Sequence, residues 1–296
     1  MQRAAAEAAG TQQYPASALY VVATPIGNLA DLSLRAIHVL GLVDALACED
    51  TRVSARLLHH LGLDKPLIAL HQHNELHAAG AVLQRLGEGQ RVAYVSDAGT
   101  PAVSDPGAAL VARVAAAGCR VLPIPGASSA LAALSVAGDA RSGGFEFVGF
   151  LPARGGDRAA ALRRLGAALL TQLLFEAPHR IESLAAELAA LAPQRTVTLC
   201  RELTKQFETV VTLPAAQLPA WLAADAHRLR GEFVLVLHAP QPVAETQDGL
   251  PAAALQILDV LLRELPLKQA VALAAELSGE PRNALYAAGL ALQRDT

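Results

Sequence analysis

Short apolar runs recur through the first half of the chain, each followed by an amphipathic segment, and this alternation constrains the fold more than any other feature. LYVVAT (19–24), DALACE (44–49), LIAL (67–70), RVAYV (91–95) and RVLPI (120–124) each fit a strand buried on both faces. Helical patterns follow at 31–40, from Thr51, at 74–86, from Asp105 and near Gly126. Strands separated by helices must run parallel, so residues 18–150 are expected to form a doubly wound α/β domain. FEFVGFLP (145–152) reads as a last strand leaving that unit.

The rhythm then changes. A polar, arginine-rich segment precedes LLFE (173–176), a helix at 179–191, VTLCREL (197–203), FETVVTL (207–213), a helix around Trp221 and EFVLVLHA (232–239). Two of these strands follow one another with a short link, so residues 151–240 are expected to form a second, mixed α+β domain. PQPVAETQDGLP (240–251) reads as a linker, and 252–264, 267–278 and 281–293 as three short helices closing the 241–296 segment. Residues 1–17 read as a disordered lead-in. A length of 296 residues accommodates two domains and a sizeable core.

Mean hydropathy is +0.33 and 53% of residues are hydrophobic, yet no apolar run reaches the roughly 18 positions of a membrane helix. Much of the apolar fraction is alanine, which points to a helix-rich globular protein. Cys48, Cys119 and Cys200 are far apart and form no CxxC, so a reducing cytoplasm fits, with the three as small buried residues. The net charge of −3 argues against a protein coated in positive charge. By segment it is −2 over 1–150, +2 over 151–240 and −3 over 241–296. The excess in the second segment gathers in Arg154, Arg158, Arg163 and Arg164 around Gly155-Gly156. Such a cluster is either a solvated helix face or a flexible arginine loop for phosphate contacts.

In a doubly wound sheet, ligands bind beyond the carboxyl ends of the strands. Three loops of small residues fall there: Thr24-Pro25-Ile26-Gly27-Asn28, Ser96-Asp97-Ala98-Gly99-Thr100-Pro101 and Pro125-Gly126-Ala127-Ser128-Ser129. The two serines also fit helix N-caps, and Asp105 before Pro106 caps a helix. Asp97 has no such structural reading. Neither GxGxxG nor GxxxxGK[ST] occurs, which weakens dehydrogenase and NTPase readings.

TPIGNL, EDTR (49–52), SDAGTP, GFLP (149–152), the HR of FEAPHR and RELTK (201–205) stand in this order. The chain thereby resembles the bacterial 16S rRNA (cytidine 1402)-2'-O-methyltransferases of the tetrapyrrole-methylase superfamily, over about residues 18–293. The resemblance implies S-adenosylmethionine as donor in a cleft between two α/β domains, a homodimer, and 16S rRNA, naked or within the 30S subunit, as partner. It places Pro25 beside the donor and Ala98, Gly99 and Thr100 in its glycine-rich loop, with Val103 close behind. Ser128 and Ser129 flank the adenosine, Glu176 sits where the second domain closes over it, and Leu203 and Phe233 lie on that side. The family commonly has an aromatic followed by Glu-Ser, where this chain has Phe175-Glu176-Ala177.

Methyl transfer to a ribose hydroxyl needs alignment and a base, and no metal. His71 and His73 of HQHNE lack a companion ligand cluster and fit a surface pair. Candidate bases and polarisers are Glu49, Asp50, Arg52, Asn74, Glu75, Glu176, Arg201, Glu202 and Lys205. Asp50 or Thr51, and Asn74, equally fit helix caps. The expectation is that Glu49, Asp50 or Glu176 orients the hydroxyl, that Asn74 and Glu75 border the substrate, and that Arg52, Arg154, Arg158, Arg180 and Lys205 hold RNA phosphate. Two other readings are a tetrapyrrole or protein methyltransferase, and a ligand-sensing regulator with a terminal helix-turn-helix.

Overall fold

The computed structural model describes residues 1–71, 74–103, 105–241 and 250–292, with backbone only at 252 and 253. His73, Ser104, most of the 240–251 linker and residue 293 lie outside the described residues. Two compact units emerge, residues 1–239 and 240–296.

The first unit contains two five-stranded sheets. In the first, β1 (Ala18–Val22), β2 (Ala45–Cys48), β3 (Leu67–Ala69), β4 (Arg91–Val95) and β5 (Arg120–Ile124) are all parallel, in the order β3-β2-β4-β1-β5. Side chains alternate between the faces along each strand. Ala18, Tyr20 and Val22 enter one core with α2 (Leu34–Leu42) and α3 (Thr51–His60), and Leu19 enters the other with α4 (Glu75–Gly87) and α5 (Gly107–Ala116). The crossovers after β1 and β4 therefore cover opposite faces, which opens a crevice between their carboxyl ends.

In the second sheet, β6 (Phe145–Phe150), β7 (Thr171–Glu176), β8 (Thr196–Arg201), β9 (Thr209–Pro214) and β10 (Phe233–Leu237) take the order β6-β7-β10-β8-β9. Only β6 and β7 are parallel; the other pairs are antiparallel. Helices α7 (Gly155–Ala167), α8 (Ile181–Leu191) and α9 (Leu218–Ala223) cover one face through Ala161, Leu165, Leu184, Leu188 and Leu222. The other face packs on α6 (Ser129–Ala137), which follows β5, and this core also takes in Ile26 and Ala127 from the first-sheet loops.

Two expectations are overturned and one open alternative is decided. Residues 2–9 form a helix, α1 (Gln2–Ala9), in which Ala5 and Ala9 are buried, rather than a disordered lead-in. Strand β6 begins the second sheet instead of closing the first, because its Phe147 and Phe150 rings meet Phe175 of β7 edge-on at 5.1 and 5.6 Å. Of the two readings of the arginine-rich segment, the helix holds: it is α7, with Arg158, Ala161 and Leu165 on one buried stripe. Of the cysteines, Cys48 and Cys200 are buried and Cys119 is half-buried.

The second unit is a three-helix cluster: α10 (Ala252–Glu264), α11 (Leu267–Ser278) and α12 (Arg282–Leu292). Leu258, Val271, Ala274 and Leu285 form its core. No helix among the described residues is long and apolar enough to cross a membrane.

Candidate active site

Four loops meet at the carboxyl ends of β1, β2, β4 and β5, and short polar contacts latch them together. Backbone hydrogen bonds run both ways between Thr24 and Gly99, at 2.9 and 3.1 Å. Gly99 has φ +82°, a conformation that disfavours any side chain, and an added Cβ would stand 3.3 Å from Ile26. Thr100 Oγ1 donates to the Ala127 carbonyl at 3.0 Å, and the Asp50 amide donates to Asp97 Oδ1 at 3.0 Å. Asp97 thus ties the loop after β2 to the loop after β4.

Asp105 orders the rest of the β4–α5 loop. Its carboxylate accepts from the Ala102 and Gly107 amides, both at 2.7 Å, and from the Tyr94 hydroxyl at 2.8 Å. Ala102 has φ +65°, a strained backbone that these bonds hold in place. Burial and the Asp105 charge push the Tyr94 hydroxyl's pKa up, so it stays a donor.

The second sheet brings its own edge to this crevice. β7 ends at Glu176, which pairs in register with Phe233 at the start of β10. Glu176 is 2% exposed. Its Oε1 accepts from the Ala177 amide at 2.9 Å, and Arg180 Nη2 donates to Oε2 at 3.2 Å and to the Leu151 carbonyl at 2.7 Å. Arg180 Nε lies 2.9 Å from Oε1, a charge contact out of line for a hydrogen bond.

Between the two edges lies a cavity of about 540 Å³. Ala98, Val103, Ser129, Leu203 and Phe233 line it together with Glu49 and Glu176. Pro25 faces a smaller neighbouring cavity of about 260 Å³. Gly99 and Thr100 brace the loops, and Ser128 caps α6, accepting from the Leu131 amide at 3.5 Å. The lining also holds Asp97, Asp105, Phe150, Phe175 and Glu232, which were not among the expected site residues. Asp97 carried a sequence signal, as the one loop acid without a capping role. The aromatic pair becomes visible only once β6 and β7 are neighbours.

The cavity's chemistry is one-signed. Glu49, Asp97, Asp105, Glu176 and Glu232 line it, with no lysine, arginine or histidine among the described lining residues. Burial, then the charges of Asp97, Asp105 and Asp50, raise the Glu49 pKa. Such a lining repels phosphates and attracts a cation, and the three phenylalanines offer apolar faces to a heterocycle. The volume lies within the range of roughly 300–1,000 Å³ common for small-molecule sites. An S-adenosyl donor, with a sulfonium, an ammonium and an adenine ring, fits this set of groups. Among the described residues no group of three or more His, Cys, Asp and Glu could hold a metal ion.

Several expected substrate contacts are committed elsewhere. Asp50 caps α3 through the Arg52 amide at 2.8 Å and pairs with the Arg52 side chain at 2.6 Å, and these bonds lower its pKa to about 2. It does not line the cavity, so it is corrected from catalytic candidate to cap. Asn74 braces the β3–α4 turn by accepting from the His71 amide and donating to the Ala69 carbonyl. Glu75 opens α4 without lining the cavity. Arg158 is buried against Glu187 and the Pro152 carbonyl, so it cannot serve phosphate. Lys205 Nζ is held by Glu202 at 2.7 Å and Glu232 at 2.9 Å. Arg180 likewise holds Glu176 and is a positioning residue. Arg154 is exposed at the start of α7 and remains free to contact solvent.

Residues 18–219 match the family described as tetrapyrrole (corrin/porphyrin) methylases. The chain belongs to the tetrapyrrole methylase family. Residues 248–293 of this methylase match a second family, the RsmI C-terminal HTH domain. It is 48% identical to "Ribosomal RNA small subunit methyltransferase I" of Pseudomonas aeruginosa over 94% of this chain and 98% of that protein. The protein of the same name from Escherichia coli O157:H7 is 48% identical over 90% of this chain and 93% of its own. Among solved structures, uroporphyrin-III C-methyltransferase from Thermus thermophilus, complexed with S-adenosylhomocysteine, superposes with a TM-score of 0.52 at 19% identity, over 74% of this chain and 96% of that one. Diphthine synthase gives 0.57 at 17%, over 75% and 90%. These two share the fold.

Proposed function

We propose that this methylase transfers a methyl group from S-adenosylmethionine to the ribose 2'-oxygen of cytidine 1402 in the 16S rRNA of the small ribosomal subunit. The observation that carries the reading is near-full-length identity of 48% to a named small-subunit rRNA methyltransferase, extending through the terminal helices. The five-carboxylate cavity supports the donor. A homodimer acting in the cytoplasm on the 30S subunit is part of the same proposal.

The transfer forms a C–O bond as a C–S bond breaks, and the hydroxyl proton must leave to a base. Bound S-adenosylmethionine supplies the activated methyl group. Glu49 is the base in this reading, because it lines the cavity and its raised pKa makes it a better proton acceptor than an ordinary glutamate. Glu176, fixed by Arg180, offers a buried acceptor to the donor. The latched β1 and β4 loops hold their positions without reorganisation, which favours alignment of the reacting atoms.

The test is incubation with tritiated-methyl donor and 30S subunits lacking the modification. Label in 16S rRNA at a 2'-oxygen supports the reading. Label in a tetrapyrrole precursor or a protein, or none anywhere, refutes it.

A further inference from the structure

The donor cavity shares Ser96 and Asp97 with the smaller cavity, so the Asp97 loop is the partition between them. The smaller cavity, of about 260 Å³, lies between the Thr24–Leu29 loop, the end of β4 and α3. Its wall is apolar at Val53, Leu57 and Leu29, and Arg56 and His60 stand at its mouth. From there a groove of about 700 Å³ continues past Arg56 and His60 to His59.

Arg56 is the anomaly. Its side chain makes no hydrogen bond or ion pair with any described residue. It sits four residues from Arg52 and four from His60, on a helix that contains no acid from Thr51 to His60. Like charges at this spacing oppose each other. Arg52 is compensated by Asp50, and His59 and His60 lie in the last turn, where the helix dipole favours cations. Arg56 has neither compensation. The other cations in reach of the crevice, Arg180 and Lys205, are already paired with carboxylates. The donor cavity, with five carboxylates, excludes phosphate, whereas this neighbour carries one acid, Asp97, and one cation, Arg56.

Resting on the rRNA-methyltransferase reading, we propose that the small cavity receives the acceptor nucleotide and that Arg56 binds its phosphate. The nucleotide's ribose then reaches past Asp97 into the donor cavity, where its 2'-hydroxyl meets Glu49 and the methyl group. A base held in the small cavity must leave its helical stack, as target bases of modifying enzymes do.

The test compares wild type, Arg56→Ala, Arg56→Lys and, as a control, Arg120→Ala, an exposed arginine on the β5 edge. RNA affinity is measured by filter binding to 30S subunits at several potassium chloride concentrations. Donor-site affinity is measured by calorimetry with S-adenosylhomocysteine. Arg56→Ala is expected to weaken RNA binding about tenfold and to reduce the salt slope by about one. Arg56→Lys should keep the slope, Arg120→Ala should match wild type, and S-adenosylhomocysteine affinity should not move. If Arg56→Ala binds RNA as wild type does, or if Arg120→Ala loses as much, the assignment is overturned while the function stands. If wild type binds S-adenosylhomocysteine but neither binds nor methylates RNA, the function falls, and the assignment with it.

Discussion

Gly107→Ala is predicted to damage both the fold and the site, because Gly107 opens α5 directly under the Tyr94 ring. An added Cβ would lie 2.0 Å from Tyr94 Cε1, 2.5 Å from Cζ and 2.7 Å from the hydroxyl. Carbon atoms in contact prefer about 3.5–4.0 Å, so the ring or the helix must move by roughly 1.5–2 Å. Tyr94 is fully buried, and such overpacking typically costs about 1–3 kcal/mol. If the ring is the part that moves, its bond to the Asp105 carboxylate breaks, and bonds to charged groups contribute about 1.5–3 kcal/mol. With both contributions the destabilisation is about 2.5–6 kcal/mol, or about 5–24 °C in Tm for a unit of this size. Urea unfolding read by the single tryptophan, Trp221 in α9, reports on this unit. The midpoint should fall with the slope unchanged. Tyr94→Leu supplies the control, since without the ring the second substitution should be nearly neutral. The reasoning is refuted if Gly107→Ala unfolds with wild type, or if it destabilises the Tyr94→Leu background just as much.

The remaining expectations concern charges. Glu49→Gln should lower kcat by about 10²–10⁴-fold with S-adenosylhomocysteine affinity retained. Since Glu49 acts deprotonated, kcat/KM should fall as pH drops through its raised pKa, and Asp97→Asn, by removing a neighbouring negative charge, should move that limb to lower pH; an unmoved limb in a pH–rate profile counts against Glu49. Arg180→Ala should weaken S-adenosylhomocysteine binding about tenfold or more in calorimetry, because it leaves Glu176 buried without its partner, and should leave the salt slope of RNA binding intact. Arg158→Ala should destabilise the unit by roughly 1–3 kcal/mol in urea unfolding, less than a fully buried pair because the Glu187 side chain is 29% exposed, with RNA affinity of the folded fraction unchanged.

The strands were legible because each is a run of apolar residues long enough to bury and bounded by turn residues. All ten lie within two residues of the expected positions. Helix α1 was not, because its buried contacts are two alanines and a Gln2 side chain that donates to the Leu61 carbonyl 59 residues away. Alanine supplies no periodic contrast by which a buried face can be read. Strand β6 was assigned to the wrong sheet for a related reason: its membership depends on aromatic contacts with β7, and local pattern carries no information about which sheet a strand joins. Arg56 carries no distinguishing mark of its own in the sequence, because a lone arginine at helical spacing looks like any solvated one. Its Arg-x₃-Arg-x₃-His series, without an intervening acid, was the available signal.

Charge shows where sequence arithmetic stops. The +2 of residues 151–240 marked the second segment as the phosphate-binding part, yet folding consumes much of that charge. Arg158 goes to Glu187, Arg180 to Glu176 and Lys205 to Glu202 and Glu232. Arg195 is buried on the carbonyls of His238 and Leu165, at 2.6 and 2.9 Å. Arg154, Arg163 and Arg164 stay exposed, but none lines the donor cavity. Meanwhile the net-negative first segment presents an unpaired Arg56 beside that cavity. What a phosphate meets is set by which cations lack a partner after folding, because a cation already in contact with a carboxylate must lose that contact before it gains another. A negative cavity for a cationic donor and an adjoining cationic mouth for an anionic acceptor seat the two reactants side by side, and the loop fixed by Asp97, common to both cavities, is where the ribose meets the methyl group.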